Sequence, residues 1–251
     1  MRTSDLGPDA GPRTEPPGRA RGLGRIALAG LASLAACAGP ARAPAVSAHG
    51  TMREVLREGR HEGRVDVLRA AGPTTVGVGA LAGLAGEVTI VGGRALVATA
   101  VAGGRAATRP ARDGDRAALL VVADVPVWED VPLGDVASYH DLDRALAERL
   151  RARGVDPAEP TPVRVRGRAP RLSFHVIAGA CPIADPTGPA PWRFSGAADD
   201  VELVGFYVEG AAGRLTHHTH RSHLHAITRE GTGHLDEVAL VDAVLSLPRA
   251  E

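Results

Sequence analysis

The sequence predicts an α+β protein built mostly from antiparallel or mixed β-sheets with a few helices. Short apolar runs rich in β-branched residues recur along the chain and are separated by glycine-containing turns. Only residues 138–155 have the spacing of a long amphipathic helix, with Leu142, Leu146 and Leu150 four residues apart. A series of strand-like segments then completes the C-terminal part, which favours sheets over helical layers.

The elements are expected in the following order. A short helix starts after Thr51, the predicted N-cap, and stops by Gly59. Two β-rich runs join at Gly92-Gly93, a two-residue hairpin signal. An apolar strand precedes the amphipathic helix, which Gly154 terminates. The apolar strand before the helix is 118–125. After the helix come a second hairpin over 162–179 and C-terminal strands at 200–209, 214–228, 234–240 and 242–248.

The first 48 residues are predicted to precede the folded domain. The domain is placed at 49–251, as two packed β subdomains that divide near 155–162. The opening residues are polar and rich in proline and glycine, which is typical of disorder. A basic stretch ending at Arg25 then leads into an apolar run too short to span a bilayer, as in an export signal.

The apolar run ends in Leu-Ala-Ala-Cys, which resembles a bacterial lipobox with Cys37 as the lipid attachment point. We therefore expect an exported lipoprotein, anchored to the membrane surface on the periplasmic or extracellular face. An ordinary secretory signal, cut near Ala43 or Ala48, and an uncleaved anchor are the alternatives. With Cys37 lipidated, Cys181 is the only remaining thiol and is expected to be buried and structural.

Composition limits the class of function. The chain has 29 basic and 29 acidic residues and only 3% aromatic residues, which argues against nucleic-acid binding. It contains no lysine, asparagine or glutamine. A polar site must therefore be built from histidine, aspartate, glutamate, arginine, serine, threonine or backbone groups.

Histidines are concentrated near the C-terminus, where six of the ten fall between positions 217 and 234. Residues two apart in a strand share a face, so His223 and His225 present both imidazoles on one side. A turn follows, which brings His234 on the next strand opposite that pair. Three converging imidazoles predict a site for Zn²⁺ or another divalent transition metal with coordination positions left open. A solvated histidine-rich loop is the alternative.

The three preceding histidines, His217, His218 and His220, have no clear assignment. Strand parity places them opposite His223 and His225 unless the strand bends. They are candidates for supporting hydrogen bonds, for an accessory metal site, or for plain exposure.

The order of motifs after the signal resembles that of the α-acetolactate decarboxylase family. The motifs are HGTMREVLREG, GVGALAGLAGEVTIVGG, PVRVRG, LVGFYV, SHLHAI, TGHLDEV and LSLP. They occur in the family's order and cover about 200 residues. Each motif is weak alone, and their collinearity carries the resemblance.

The resemblance implies roles for particular residues. His223, His225 and His234 match the family's three zinc ligands, and Glu87 matches the glutamate beside the metal, for which an ordinary charged residue at the mouth of a hairpin is the alternative. His175 stands where the family has an arginine that holds the substrate carboxylate.

Two further points bear on substrate binding. Arg168 and Arg171 are the candidates to compensate for the missing arginine. The family's second glutamate, on a tail beyond the last strand, has no assigned counterpart, although Glu251 is nearby in sequence.

The function implied is metal-dependent decarboxylation of acetolactate, or of a related 2-hydroxy-3-keto acid, to an acetoin-type product. Glu87 and His175 are the catalytic candidates, the partner is a small-molecule substrate, and a homodimer is possible within this family. A relative with changed chemistry, and a non-catalytic zinc-binding lipoprotein of the same fold, are the alternatives.

Overall fold

A computed structural model describes residues 44–180, 185, 187–216 and 220–249. The predicted signal with Cys37, and also Cys181, His217, His218 and Glu251, lie outside the described residues. The predictions made for them concern parts of the chain about which the structure says nothing.

The first half of the chain forms one antiparallel sheet. Within the described residues it has seven strands, in the spatial order β1-β7-β3-β4-β5-β6 with β2 paired to β7. The elements are β1 (Val46–His49), α1 (Met52–Leu56), β2 (Val65–Asp66), α2 (Val67–Ala70), β3 (Thr75–Leu81), a 3₁₀ turn (Ala82–Leu84), β4 (Glu87–Val91), β5 (Arg94–Val101), β6 (Arg105–Pro110) and β7 (Arg116–Asp124).

The second half forms another antiparallel sheet, with five strands in the described part of the chain. Their order is β11-β10-β9-β12-β8, and β11 also pairs with β12, so four of the strands close into a ring. The predicted class of antiparallel sheets with few helices is confirmed. The elements are β8 (Trp128–Val136), α3 (Tyr139–Ala152), β9 (Thr161–Val176), β10 (Trp192–Tyr207), β11 (Ser222–Thr228) and β12 (Gly231–Pro248).

Local sequence signals explain several of these elements. Thr51 caps α1 and forms a reciprocal capping box with Glu54, as the predicted N-cap requires. Ser138 caps α3, whose leucines at 142, 146 and 150 are fully buried. Gly92 and Gly93 both have positive φ in the turn of the β4–β5 hairpin, which is confirmed.

The second hairpin predicted over 162–179 is wrong, because this segment is the single long strand β9. Gly167 is not a turn residue. It pairs with Val201, and a Cβ at this position would lie 3.2 Å from the backbone of Ala243. Pro170 lies at an irregularity in the β9–β10 pairing, where a missing N–H is tolerated.

The two final predicted strands are likewise one strand, β12, which bends without ending. Asp242 has a positive φ of 54° and lies within a register shift of the β12 ladders. A bulge of this kind bends a strand while its pairing continues on both sides. The strand expected over 214–228 begins only at Ser222 within the described residues.

The first strand of the described chain is β1. Val46–His49 pairs with β7, so ordered sheet begins before residue 49. The chain passes from the first sheet to the second at 125–127. The division into subdomains near 155–162 stays a prediction.

The two sheets share a hydrophobic core, which places β4 against β11 and β12. Buried residues of β3 (Val76 and Val78) pack with Val204 and Phe206 of β10. The strand that carries Glu87 is therefore held facing the strands that carry the histidines. Among the described residues, no helix combines the length and the apolar character needed to cross a membrane.

Candidate metal centre

Three histidines meet at the junction of β11 and β12. His223 and His225 lie two apart on β11, and His234 on β12 is the direct cross-strand partner of His225. One ring nitrogen of each lies within 4.8 Å of the others, and all three side chains are buried. Strand parity and the hairpin therefore bring together the residues that the sequence predicts as ligands.

The local chain geometry requires glycine beside this centre. Gly205 on β10 pairs with Leu224, between the two β11 histidines. A Cβ at Gly205 would lie 2.0 Å from the carbonyl oxygen of His223, and one at Gly233 would lie 2.3 Å from that of His175. Only residues without a side chain allow the backbones to approach this closely.

The imidazole of His225 is held from its Nδ1 side. Its Nδ1 lies 2.8 Å from Oγ1 of Thr89, while Nε2 is buried and has no hydrogen-bond partner among the described residues. Burial, followed by the nearby His223 and His175, lowers the pKa of His225 well below its ordinary value. The ring is therefore neutral near pH 7, the form that binds a metal ion.

Glu87 lies beside the same ring. Its Oε2 is 3.7 Å from Nε2 of His225, and its Oε1 accepts a hydrogen bond of 3.4 Å from the Ile177 amide. Only 4% of the residue is exposed. Burial raises the pKa of the carboxyl to about 7, an effect that the nearby His175 partly opposes. Such a group can both hold and release a proton near neutral pH.

His175 lies next to His234. On β9 it is the cross-strand partner of His234, with ring centroids 5.1 Å apart. Its Nδ1 lies 2.7 Å from Oδ1 of Asp236, whose Oδ2 accepts a hydrogen bond of 2.6 Å from Arg193. The β9–β12 register shifts between Leu235 and Glu237. Asp236 is the extra residue there, and a bulge of this kind redirects a side chain.

A small pocket of about 40 Å³ opens beside these groups. Its polar lining residues are Glu87, His175, His223 and His234. The rest of the wall is apolar and comes largely from α1 and the adjoining strands: Met52, Val55, Leu56, Gly79, Ala80, Leu84, Leu119 and Ile177. An apolar wall next to converging polar groups is the usual form of a small-molecule site.

The predicted compensating arginines do not reach this pocket. Arg171 is exposed and donates to the carbonyl of Ala137, and Arg168 is also exposed. Arg171 precedes His175 by four residues, about 13 Å along a strand, which separates it from the pocket. No arginine lines the pocket among the described residues.

His220 is also separate from the three-histidine centre. Its ring stacks on Tyr139 with centroids 3.9 Å apart, and its Nδ1 lies 3.5 Å from the buried carboxylate of Asp143. Asp143 in turn accepts hydrogen bonds from the Arg221 amide and the Ser222 hydroxyl. This cluster joins α3 to the start of β11.

Thr89 and Asp236 contact the site histidines but were absent from the sequence prediction. Thr89 follows Glu87 by two residues in a strand, so period-two spacing contained a signal for it. Asp236 also follows His234 by two, but its contact with His175 depends on a bulge, which sequence spacing does not reveal.

The donor set suits a metal ion. Three buried imidazoles with a carboxyl nearby match the preferences of zinc and other divalent transition metals, and leave coordination positions open. The buried Nε2 of His225, which lacks a hydrogen-bond partner in the described part of the chain, is the specific observation that a bound cation would explain.

Known structures share the fold of this chain. No family model matches the sequence, and no curated protein does. A Staphylococcus aureus protein, described as of unknown function and similar to alpha-acetolactate decarboxylase, superposes with a TM-score of 0.64 at 16% identity, covering 80% of this chain and 84% of that one. The alpha-acetolactate decarboxylase of Bacillus subtilis strain 168 gives 0.63 at 18% identity, covering 82% and 86%.

A second Bacillus subtilis structure, the acetolactate decarboxylase of subspecies spizizenii, gives a TM-score of 0.61 at 17% identity, covering 82% and 86%. These similarities confirm the predicted acetolactate decarboxylase-like fold of this chain.

Proposed function

We propose that this protein is a metal-dependent carboxy-lyase that converts acetolactate, or a related 2-hydroxy-3-keto acid, to an acetoin-type product and CO₂. The observation that carries the proposal is the buried carboxyl of Glu87, 3.7 Å from a metal-ligand candidate and with a pKa of about 7. The shared fold and the resemblance of motifs support it.

His223, His225 and His234 would hold the metal, with zinc as the first candidate. When bound, a divalent cation supplies Lewis-acid stabilisation of the negative charge that develops on the substrate's keto and hydroxyl oxygens as CO₂ leaves. A 2-hydroxy-3-keto acid carries these two oxygens on adjacent carbons, so both can face one centre.

Glu87 would donate the proton that the product gains. Loss of CO₂ breaks the bond between the carboxyl carbon and its neighbour, and the electron pair moves toward the keto group. The carbon skeleton must then gain one proton, which a protonated Glu87 carboxyl can deliver from one side of the pocket. In the metal-free protein, burial raises the pKa of this carboxyl to about 7, so the protonated form is accessible near neutral pH.

His175 would contact the substrate's carboxylate end. It lines the pocket, and Asp236 fixes its orientation through Nδ1. An imidazole is shorter than the arginine that the resemblance implies at this position. The apolar wall beside α1 would then exclude water from the reacting carbons.

A second candidate is a metal-binding relative whose chemistry has changed or been lost. The favouring observation is that no arginine lines the pocket in the described part of the chain, and that His175 is engaged with a carboxylate. Such a protein would bind the metal and leave acetolactate unchanged.

One experiment separates the two candidates. The purified protein is loaded with Zn²⁺, its metal content is measured, and it is incubated with racemic acetolactate while CO₂ and acetoin are followed. Decarboxylation by the wild type and its loss in Glu87→Gln, with metal retained, would support the first function. A metal-loaded wild type that releases no CO₂ would support the second.

We also propose export and lipid attachment at Cys37, on sequence grounds alone. The basic stretch, the short apolar run and the Leu-Ala-Ala-Cys ending support this. Metabolic labelling with a radioactive fatty acid should mark the wild type and leave Cys37→Ser unlabelled. Labelling of neither protein would contradict lipidation.

A further inference from the structure

Thr89 connects the two sheets at the metal centre. It lies on β4, fully buried, and its Oγ1 is 2.8 Å from Nδ1 of His225 and 2.9 Å from Oγ1 of Thr232 on β12. Thr232 is also buried. A short chain of hydrogen bonds therefore runs from one sheet into the imidazole carried by the other.

The direction of these bonds determines which nitrogen of His225 carries the proton. A threonine hydroxyl has one hydrogen to donate. If Thr89 donates it to Thr232, Thr89 must accept from Nδ1–H of His225. The neutral ring then has its lone pair on Nε2, the atom that faces Glu87.

The opposite direction is incompatible with a cation bound to Nε2, because it would leave that nitrogen protonated. If Thr89 donated to Nδ1, the ring proton would lie on Nε2, which is buried. No hydrogen-bond acceptor serves Nε2 among the described residues, since the nearest carboxylate oxygen of Glu87 is 3.7 Å away. A buried N–H left without an acceptor costs about 1–3 kcal/mol.

We propose that Thr89 is a positioning residue for the metal centre, which fixes the Nδ1–H tautomer of His225 and aims its Nε2 lone pair at the cation. This proposal rests on the metal-binding part of the proposed function. Groups that hold the second nitrogen of a ligand histidine commonly raise metal affinity about 10- to 100-fold.

Two side chains of β4 therefore lie next to the two nitrogens of one imidazole. Glu87 lies near Nε2 and Thr89 bonds Nδ1, from positions two apart on the same face of the strand. Packing of the first sheet against the second thus places both β4 side chains at the imidazole of His225.

The first test compares metal affinities. Dissociation constants for Zn²⁺ and Co²⁺ are measured by chelator competition with wild type, Thr89→Val, Thr89→Ser and Thr216→Val. Thr216 is a matched control because it is buried and its hydroxyl has no hydrogen-bond partner among the described residues. We expect about 10- to 100-fold weaker binding in Thr89→Val, with Thr89→Ser and Thr216→Val close to the wild type.

The second test needs no variant at Thr89. Long-range ¹H–¹⁵N correlation spectra of the metal-free wild type, assigned with His225→Gln, report which nitrogen of His225 is protonated. A protonated Nδ1 and a bare Nε2 are expected. The reverse tautomer, or wild-type affinity in a folded Thr89→Val, would overturn the proposal.

Failure of the proposed activity is distinguishable from failure of this proposal. The protein could bind metal tightly through a centre that depends on the Thr89 hydroxyl and yet release no CO₂. That result would support the role of Thr89 and contradict the proposed decarboxylase activity. A wild type that binds neither ion would overturn both.

Discussion

The Glu87 carboxylate and the His225 imidazole face each other across the junction of the two sheets, with Oε2 3.7 Å from Nε2. Neither sheet contains the site alone, because the carboxyl comes from β4 and the histidines from β11 and β12. Burial that raises the pKa of Glu87 also lowers that of His225. Both shifts favour the neutral forms of these two side chains.

Removal of one ligand should abolish tight metal binding. In His234→Ala, only two imidazoles remain, and we expect affinity for Zn²⁺ to fall by at least about 100-fold. Saturating Zn²⁺ should raise the free energy of unfolding of the wild type by about 3 kcal/mol at 100 times the dissociation constant. Thermal unfolding with and without Zn²⁺ measures this gain, which His234→Ala should lack.

His220→Ala is the control for that variant, because His220 stacks on Tyr139 and is not one of the three converging ligands. It should retain stoichiometric metal. Loss of metal in His220→Ala together with retention in His234→Ala would contradict the assignment of the centre.

Substitution of Glu87 should change how stability depends on pH in the metal-free protein. The pKa is about 7 in the folded state against an ordinary value of 4.5. The stabilising contribution of a raised pKa is fully present below pH 4.5 and is lost as pH rises through about 7. Relative to the wild type, Glu87→Gln should therefore gain stability between pH 5 and pH 8, by up to about 3 kcal/mol.

Urea unfolding of both proteins at the two pH values measures this difference. The comparison at pH 5, where Glu87 is mostly protonated, shows how well the amide replaces the carboxyl. A difference between the proteins that is the same at pH 5 and pH 8 would contradict the raised pKa.

Disruption of the contact between Asp236 and His175 should impair catalysis without removing the metal. The Asp236 carboxylate holds Nδ1 of His175 at 2.7 Å, so Asp236→Asn weakens the constraint on a ring that lines the pocket. We expect kcat/KM for acetolactate to fall about 10- to 100-fold, with metal content unchanged.

The matched change is Arg193→Ala, which removes the partner of Asp236 and leaves the Asp236–His175 bond in place. Its effect on kcat/KM should be smaller. Equal losses in Arg193→Ala and Asp236→Asn would mean that the ion pair as a whole, and not the orientation of His175, matters.

Two glycine substitutions in β10 should show whether the close backbone contact at Gly205 requires a residue without a side chain. A Cβ at Gly205 would overlap the carbonyl of His223 at 2.0 Å, a contact that the backbone can relieve only by moving β11. We expect Gly205→Ala to lose about 3 kcal/mol or more and to weaken metal binding. Chemical denaturation and chelator competition measure the two effects.

Gly196→Ala on the same strand is the control, since the three atoms nearest to its Cβ would all belong to the Phe194 ring, the first at 3.2 Å. It should cost less than about 1 kcal/mol and leave metal affinity intact. Similar losses in both variants would mean that β10 tolerates no side chain for reasons unrelated to the centre.

The histidine centre could be predicted because its geometry is local. His223 and His225 share a face by strand parity, and a two-residue turn brings His234 opposite His225. The fold class followed from apolar runs and turn glycines. Prediction failed over 162–179, where one long strand replaces the expected hairpin and Gly167 allows a close approach between strands.

The class of fold, the convergence of the three histidines and the Thr51 cap could therefore be predicted, because they depend on residues close together in the sequence. Tertiary packing sets which β4 side chains meet His225 and which carboxylate holds His175, and it leaves Arg168 and Arg171 outside the pocket. These outcomes depend on the packing of two sheets and on bulges that shift register within long strands. Neither is specified by the spacing of residues along one strand.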